Sequence, residues 1–210
     1  MCTQIRHRGP DGEGFFLEPG VALGHRRLSI IDVEGGKQPM TNEDGRLVVV
    51  FNGEIYNFLE LRRGLVDRGH AFTTHSDTEV LVHLYEEVGE RLPEYLNGMF
   101  AFAIWDRRER TLFLARDRFG EKPIYYTSEA HGTAFAFASE LKALHALPGL
   151  RREICPEAVQ DYLSFSYIPE PRTIYRGVRK LEASTSALVL PGGRLQLRRY
   201  WTPKLGQRQP

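Results

Sequence analysis

The chain has 210 residues, enough for one domain of ordinary size with a real core, and its 41% hydrophobic and 26% charged residues are those of a globular protein. With 28 Lys+Arg against 27 Asp+Glu, no charge excess draws it to nucleic acid or to an anionic membrane. Two cysteines, Cys2 and Cys155, make no disulfide framework, no apolar run approaches the roughly 20 residues of a membrane span, and nothing before "RHRGPDG" reads as a signal peptide, so a reducing cytoplasm is the expected location.

The chain opens "MCTQIRHRGPDGEG". Cys2 behind an initiator Met can become an N-terminal nucleophile, because Met is readily removed before a small residue and the freed α-amine, with a pKa of about 7.7–8.0, lies beside the thiol. "GFFLEPGVALGHRRLSIID" then reads as two β-rich runs joined in a hairpin at Glu18-Pro19-Gly20. "RLVVVFNGEIYNF" holds an apolar strand, Leu47 to Phe51, and from pattern alone the following Asn52-Gly53 is a hairpin turn. From Asn57, apolar residues at Phe58, Leu61 and Leu65 have helical spacing and stop near Gly69. In "HSDTEVLVHLYEEVGE", Ser76 and Glu79 have the form of a capping box ahead of a helical stripe of Val80, Leu81, Leu84, Tyr85 and Val88.

"GMFAFAIWDRRERTLFLARDRFGEKPIYYT" predicts strands from Phe100 to Trp105 and from Leu112 to Ala115, around a charged turn at Arg107 to Arg110. A further pair, Ile124 to Thr127 and Ala134 to Ala138, flanks a turn at His131-Gly132. Runs such as "LVVVF" and "FAFAIW" are apolar on both faces, which calls for an α+β protein with two packed antiparallel sheets and helices outside. Pro148-Gly149 breaks the chain, and a boundary is placed near residue 147. Beyond it come a helix from Pro156 through Leu163, a proline-punctuated stretch "SYIPEPRTIYRGVRKL", a last hairpin in "ALVLPGGRLQLRRYW", and a polar tail.

Each of these motifs has a plain structural reading: a tight loop, a helix cap, a strand with solvated arginines. Taken in order, however, "RHRGPDGEG", "LGHRRLSIID", "GGKQPM", "FNGEIYNF", "GHAFTTHSDTEVLVHLYEE", "NGMFAFAIWD", "LFLARDRFGEKPIYY" and "ASELKAL" resemble the glutaminase domain of asparagine synthetases. These are class II glutamine amidotransferases within the N-terminal nucleophile hydrolases. The resemblance runs from about Ile5 to Leu147, so a glutaminase domain is expected over 1–147. Weaker similarity to the family's interdomain linker continues through "RYW", so 148–210 is expected to be linker and the start of a synthetase domain.

The resemblance implies a four-layer αββα sandwich and hydrolysis of the glutamine side-chain amide to glutamate and ammonia through a thioester. Carried onto matching positions, Arg27 holds the glutamine α-carboxylate, Asp77 and Glu54 take the α-ammonium, and Asn52 (side chain) with Gly53 (backbone N–H) form the oxyanion hole. It implies no metal and no cofactor in this domain, with ATP and Mg confined to a synthetase domain. No Ser-Gly-Gly-x-Asp-Ser pyrophosphate loop occurs here: Gly35-Gly36 and Gly192-Gly193 lack both the Ser and the Asp. Expected partners are glutamine and a separate or downstream synthetase domain that makes asparagine from aspartate, with no nucleic acid and no membrane; oligomerisation is left open. The alternatives are a non-catalytic glutamine-binding or interaction module, and an amidotransferase with another acceptor such as an exopolysaccharide precursor.

Cys2 departs from the family pattern. The family's nucleophile begins an apolar strand, followed by a loop and a helix before "RHRGPDG", whereas here only Thr3-Gln4-Ile5 intervene between Cys2 and that motif. The family's first strand and most of its helix therefore have no counterpart, and Cys2 aligns with the last turns of the helix. It stands as a doubtful nucleophile. Either the chain begins late or it keeps the pocket without the nucleophile.

Overall fold

The computed structural model describes residues 1–29, 32, 35–128, 135–204 and 206. After a 3₁₀ helix at Cys2–Arg8, strands β1 (Gly12–Glu18) and β2 (Val21–Arg27) form the expected hairpin, with Glu18 opposite Val21 and Gly20 at φ +94 in the two-residue turn. Then come β3 (Met40–Thr41), β4 (Leu47–Ile55), α1 (Phe58–Val66), α2 (Glu79–Val88), α3 (Leu92–Tyr95), β5 (Gly98–Asp106), β6 (Thr111–Arg116), β7 (Tyr125–Thr127) and β8 (Ala136–Ala138). The expected turn at His131-Gly132, with Ala134, lies outside the described residues. The chain ends with α4 (Leu141–Leu144), α5 (Pro156–Phe165), β9 (Arg179–Lys180), β10 (Thr185–Val189) and β11 (Leu195–Arg199).

Six strands form one sheet in the order β11-β10-β6-β5-β4-β3; β1-β2 and β8-β7-β9 form two smaller sheets, and every pairing is antiparallel. Period-two alternation divides β4 between two cores. Leu47, Val49, Phe51 and Ile55 join Leu81, Leu84 and Val80 of α2 on one side, while Val48 and Val50 join Ala103, Trp105, Leu23, Ile124 and Tyr126 on the other. A third cluster packs Ala136 and Ala138 of β8 against Ala143 and Leu144 of α4 and Ile5 of the N-terminal 3₁₀ helix. The result is the four-layer αββα arrangement implied by the resemblance.

β9, β10 and β11, which follow the boundary expected at residue 147, add to both kinds of sheet: β9 pairs with β7, and β10 with β6. The two layers therefore run across that boundary. Among the described residues no strand pairs with the second edge of β2 or with the second edge of β8, and both edges border the same cleft.

Two local readings are overturned. Asn52-Gly53 is not a hairpin turn: β4 continues through it to Ile55, with Asn52 opposite Ala101 and Gly53 opposite Phe100. The reason is tertiary, because nine consecutive pairs with β5 hold the segment extended, and at Gly53, φ +154, a Cβ would lie 2.0 Å from the Met99 carbonyl oxygen. The capping box at Ser76 and Glu79 also fails to form. Glu79 instead accepts the backbone N–H groups of Thr73 and Thr74 at 2.7 and 2.8 Å and both their hydroxyls, and the helix starts without a side-chain cap.

Candidate functional site

All six residues singled out in the sequence, Cys2, Arg27, Asn52, Gly53, Glu54 and Asp77, line one cleft of about 510 Å³. Its floor comes from β4 and β5, where Val50, Asn52 and Glu54 alternate along one strand and Ala101 and Ala103 along the other. β2 makes one wall, with Phe137 and Ala138 of β8 opposite.

Arg27 closes β2, and its guanidinium donates to the Asp32 backbone carbonyl at 2.6 Å. Asp32 is itself held, its carboxylate accepting the Gly35 and His75 backbone N–H groups at 2.9 and 2.8 Å. Gly36 leaves room for the arginine, since a Cβ there would lie 2.4 Å from the guanidinium. Such buttressing places a planar, always-charged fork on the cleft wall, the shape that receives a carboxylate in two parallel hydrogen bonds.

In the same cleft, Asp77 sits in the lead into α2 and is buried, accepting the Ile55 N–H at 3.0 Å. Burial pushes its carboxyl above the ordinary range, and the nearby Glu54 charge adds to this, while the Ile55 N–H works in the other direction. Two carboxylates with no salt bridge among the described residues form an anionic spot that a ligand cation would relieve. In the same cleft, the Asn52 side-chain Nδ2 is buried and has no hydrogen-bond partner among the described residues. A buried amide donor without a partner costs about 1–3 kcal/mol, so its retention points to a ligand acceptor at that place.

Cys2 has a different surrounding. Its start is helical, as its alignment implies, yet the residue lines the cleft rather than lying outside it. The thiol lies against β2 at Gly24, where a Cβ would come within 2.5 Å of Sγ. Burial pushes the thiol above its ordinary pKa, outweighing the pull of the N-terminal ammonium, so the nucleophilic thiolate is disfavoured.

Sequence reasoning passed over His25 and Gln38, which fasten the cleft's parts together. His25 Nε2 donates to the Phe51 carbonyl at 3.0 Å, which ties β2 to β4, and Gln38 accepts the Phe51 N–H at 2.6 Å while donating to Thr78 at 3.3 Å. Burial drives the His25 imidazole down to about 4. The "ARDRFGEKP" motif works in the same structural way: buried Asp117 accepts the N–H groups of Phe100, Phe119, Glu121 and Lys122 and so shapes the loop that brings Lys122 and Pro123 to the cleft.

The chain is 45% identical over 201 residues to asparagine synthetase [glutamine-hydrolyzing] 1 of Bacillus subtilis (strain 168), covering 96% of this chain and 31% of that protein. It is 37% identical to putative asparagine synthetase [glutamine-hydrolyzing] 2 of Methanocaldococcus jannaschii, covering 100% of this chain and 44% of that one. It therefore spans 31% to 44% of the length of these two curated relatives. Among solved structures, the glutamine phosphoribosylpyrophosphate amidotransferase of B. subtilis complexed with ADP and GMP superposes with a TM-score of 0.61 at 22% identity, covering 87% of this chain and 35% of that one, which shows a shared fold. The family model described as glutamine amidotransferase domain matches residues 1–201, and the chain belongs to that family.

Proposed function

We propose that the cleft binds glutamine, with Arg27 on the α-carboxylate, Asp77 and Glu54 on the α-ammonium, and the side-chain amide oxygen between Asn52 Nδ2 and the Gly53 N–H. The observation that carries this reading is the unpartnered, buried Asn52 Nδ2 lying in one cleft with a buttressed guanidinium and an unpaired pair of carboxylates. A cation, an anion and an amide donor set in one small cleft match the three polar groups of glutamine. Relatives named as glutamine-hydrolysing asparagine synthetases support the same ligand.

Glutamine hydrolysis in such a pocket would proceed by attack of a cysteine thiolate on the amide carbon. The oxyanion is received by Asn52 and Gly53, ammonia departs on taking up a proton, and water then cleaves the thioester to glutamate. The ammonia serves asparagine formation from aspartate in a synthetase domain, where ATP and Mg act. The Cys2 thiol lies against Gly24 and burial pushes it above its ordinary range, which disfavours the thiolate, so the expectation for this chain is glutamine binding without turnover. Calorimetry with glutamine, together with glutamate release by wild type and Cys2→Ala, tests both halves. Binding without release supports the reading; release that vanishes in Cys2→Ala makes Cys2 the nucleophile, and absence of binding overturns the site.

A further inference from the structure

On the helix-covered side of the six-stranded sheet, outside the glutamine cleft, four side chains from three separate segments converge. Glu43 lies in the turn between β3 and β4, His70 in the loop after α1, and His83 and Glu86 one turn apart on α2. One ligand atom from each can be chosen so that all four lie within 4.8 Å of one another. His83 Nδ1 is 3.3 Å from the Glu43 carboxylate and 3.5 Å from that of Glu86, and His70 Nδ1 is 3.7 Å from each of the two.

We propose that Glu43, His70, His83 and Glu86 bind one divalent transition-metal ion, with zinc the best fit, as a clip that fastens α2 to the two loops beside it. Metal-to-ligand bonds of about 2.0–2.1 Å in a tetrahedron place neighbouring ligand atoms about 3.3–3.4 Å apart, so the histidine–carboxylate pairs already stand near that spacing, and side-chain rotation has to close the wider pairs from within 4.8 Å. Two imidazoles and two carboxylates suit zinc. Calcium and magnesium take six or more oxygens, which two imidazoles do not supply.

A second observation is independent of that spacing. The His83 side chain is 1% exposed, and among the described residues neither ring nitrogen has a hydrogen-bond partner, the carboxylate facing Nε2 being that of Glu79 at 3.8 Å. A buried imidazole with both nitrogens bare has lost its water without replacement, and a metal on Nδ1 removes half of that deficit. The outer partners are also in place. His70 Nε2 meets the Glu87 carboxylate at 3.0 Å, the arrangement that orients a metal-bound imidazole. The second oxygen of Glu86 accepts from Asn42 at 2.8 Å, and Glu43 accepts the Ala71 N–H at 3.0 Å, so both carboxylates are aimed. Exposed Glu43 and Glu86 provide the way in from solvent. The competing arrangement is a set of ion pairs between protonated imidazole and the same carboxylates, with the two rings' centroids 5.0 Å apart.

The test uses the full chain, stripped of metal by chelator and dialysed, then titrated with Zn²⁺ and separately with Co²⁺. The expected result is one ion per chain, the intense visible absorption of four-coordinate cobalt, and a melting temperature raised by Zn²⁺ and restored by chelator. Glu86→Gln, on an exposed position that preserves the fold, and His70→Gln lower the zinc affinity at least tenfold; Glu87→Gln lowers it about 10–100-fold through the orientation of His70. Circular dichroism of each variant separates lost binding from lost folding. Substoichiometric zinc, weakly coloured six-coordinate cobalt, or an affinity unchanged in folded Glu86→Gln and His70→Gln overturns the site in favour of the ion-paired arrangement.

Discussion

On the helix-covered face of the six-stranded sheet, β4 buries Leu47, Val49, Phe51 and Ile55 against α1 and α2. On the other face the same strand sends Val48 and Val50 into a second core and then Asn52 and Glu54 into an open cleft. One face closes on itself through apolar contact; the other stops closing where its side chains become polar and a neighbouring sheet edge is unpaired. The difference teaches that stability and ligand recognition are divided between alternate residues of one strand. Changes on the closed face should register as lost stability, and changes on the open face as lost binding.

The largest expected effect is on the closed face. Leu81, 0% exposed on α2, has no route to relax when truncated, and Leu81→Ala should lower stability by about 2–5 kcal/mol in urea denaturation. A loss below 1 kcal/mol would break the comparison, because the helix layer would then be loosely packed.

The seam between the two faces is tested by acid. The His25 imidazole, down to about 4 in the folded chain from 6.5, donates Nε2–H to Phe51, and its Nδ1 is buried and unpartnered. The unfolded chain binds this proton more readily, so the contribution is fully present above about pH 6.5 and is lost as pH falls through about 4, on the order of 3 kcal/mol in all. Melting curves of wild type and His25→Gln across that window should converge toward acid, since glutamine's amide keeps a donor for Phe51 and does not titrate. Parallel curves would remove His25 from the seam.

Asp77→Asn sharpens the open-face side. The amide oxygen still accepts from Ile55, so the fold is retained, while the charge that meets an ammonium is gone. Glutamine affinity should fall by about 1.5–3 kcal/mol, and calorimetry showing equal affinity in the two proteins would sink the assignment. The most discriminating change is Asn52→Ala: it removes a buried donor with no partner among the described residues, so stability should hold or rise, by up to the roughly 1–3 kcal/mol that the bare donor costs, while glutamine binding weakens. A large stability loss would mean that Asn52 has a structural partner after all.

The local signals in the sequence determined the elements well. Pro19-Gly20 turned the first hairpin, the spacing of Phe58, Leu61 and Leu65 made α1, Pro156 opened α5, and the doubly apolar "LVVVF" and "FAFAIW" became the shared wall of two cores. The ordered motifs also named the residues that the fold brings into one cleft. The element predictions succeeded because turn chemistry and hydrophobic period act over a few residues. What only the tertiary structure decided depends on partners distant in the chain. Asn52-Gly53 stays extended because β5 lies alongside it, Glu79 leaves its expected cap because Thr73 and Thr74 offer it four donors, and Cys2 is pressed on Gly24 by the path of the N-terminal 3₁₀ helix. The Glu43, His70, His83 and Glu86 cluster is the extreme case: only the pair His83 and Glu86, three apart on one helix, could have hinted at it. The other two ligands arrive from segments whose meeting is set by how α1 and α2 pack on the sheet, and no local pattern carries that information.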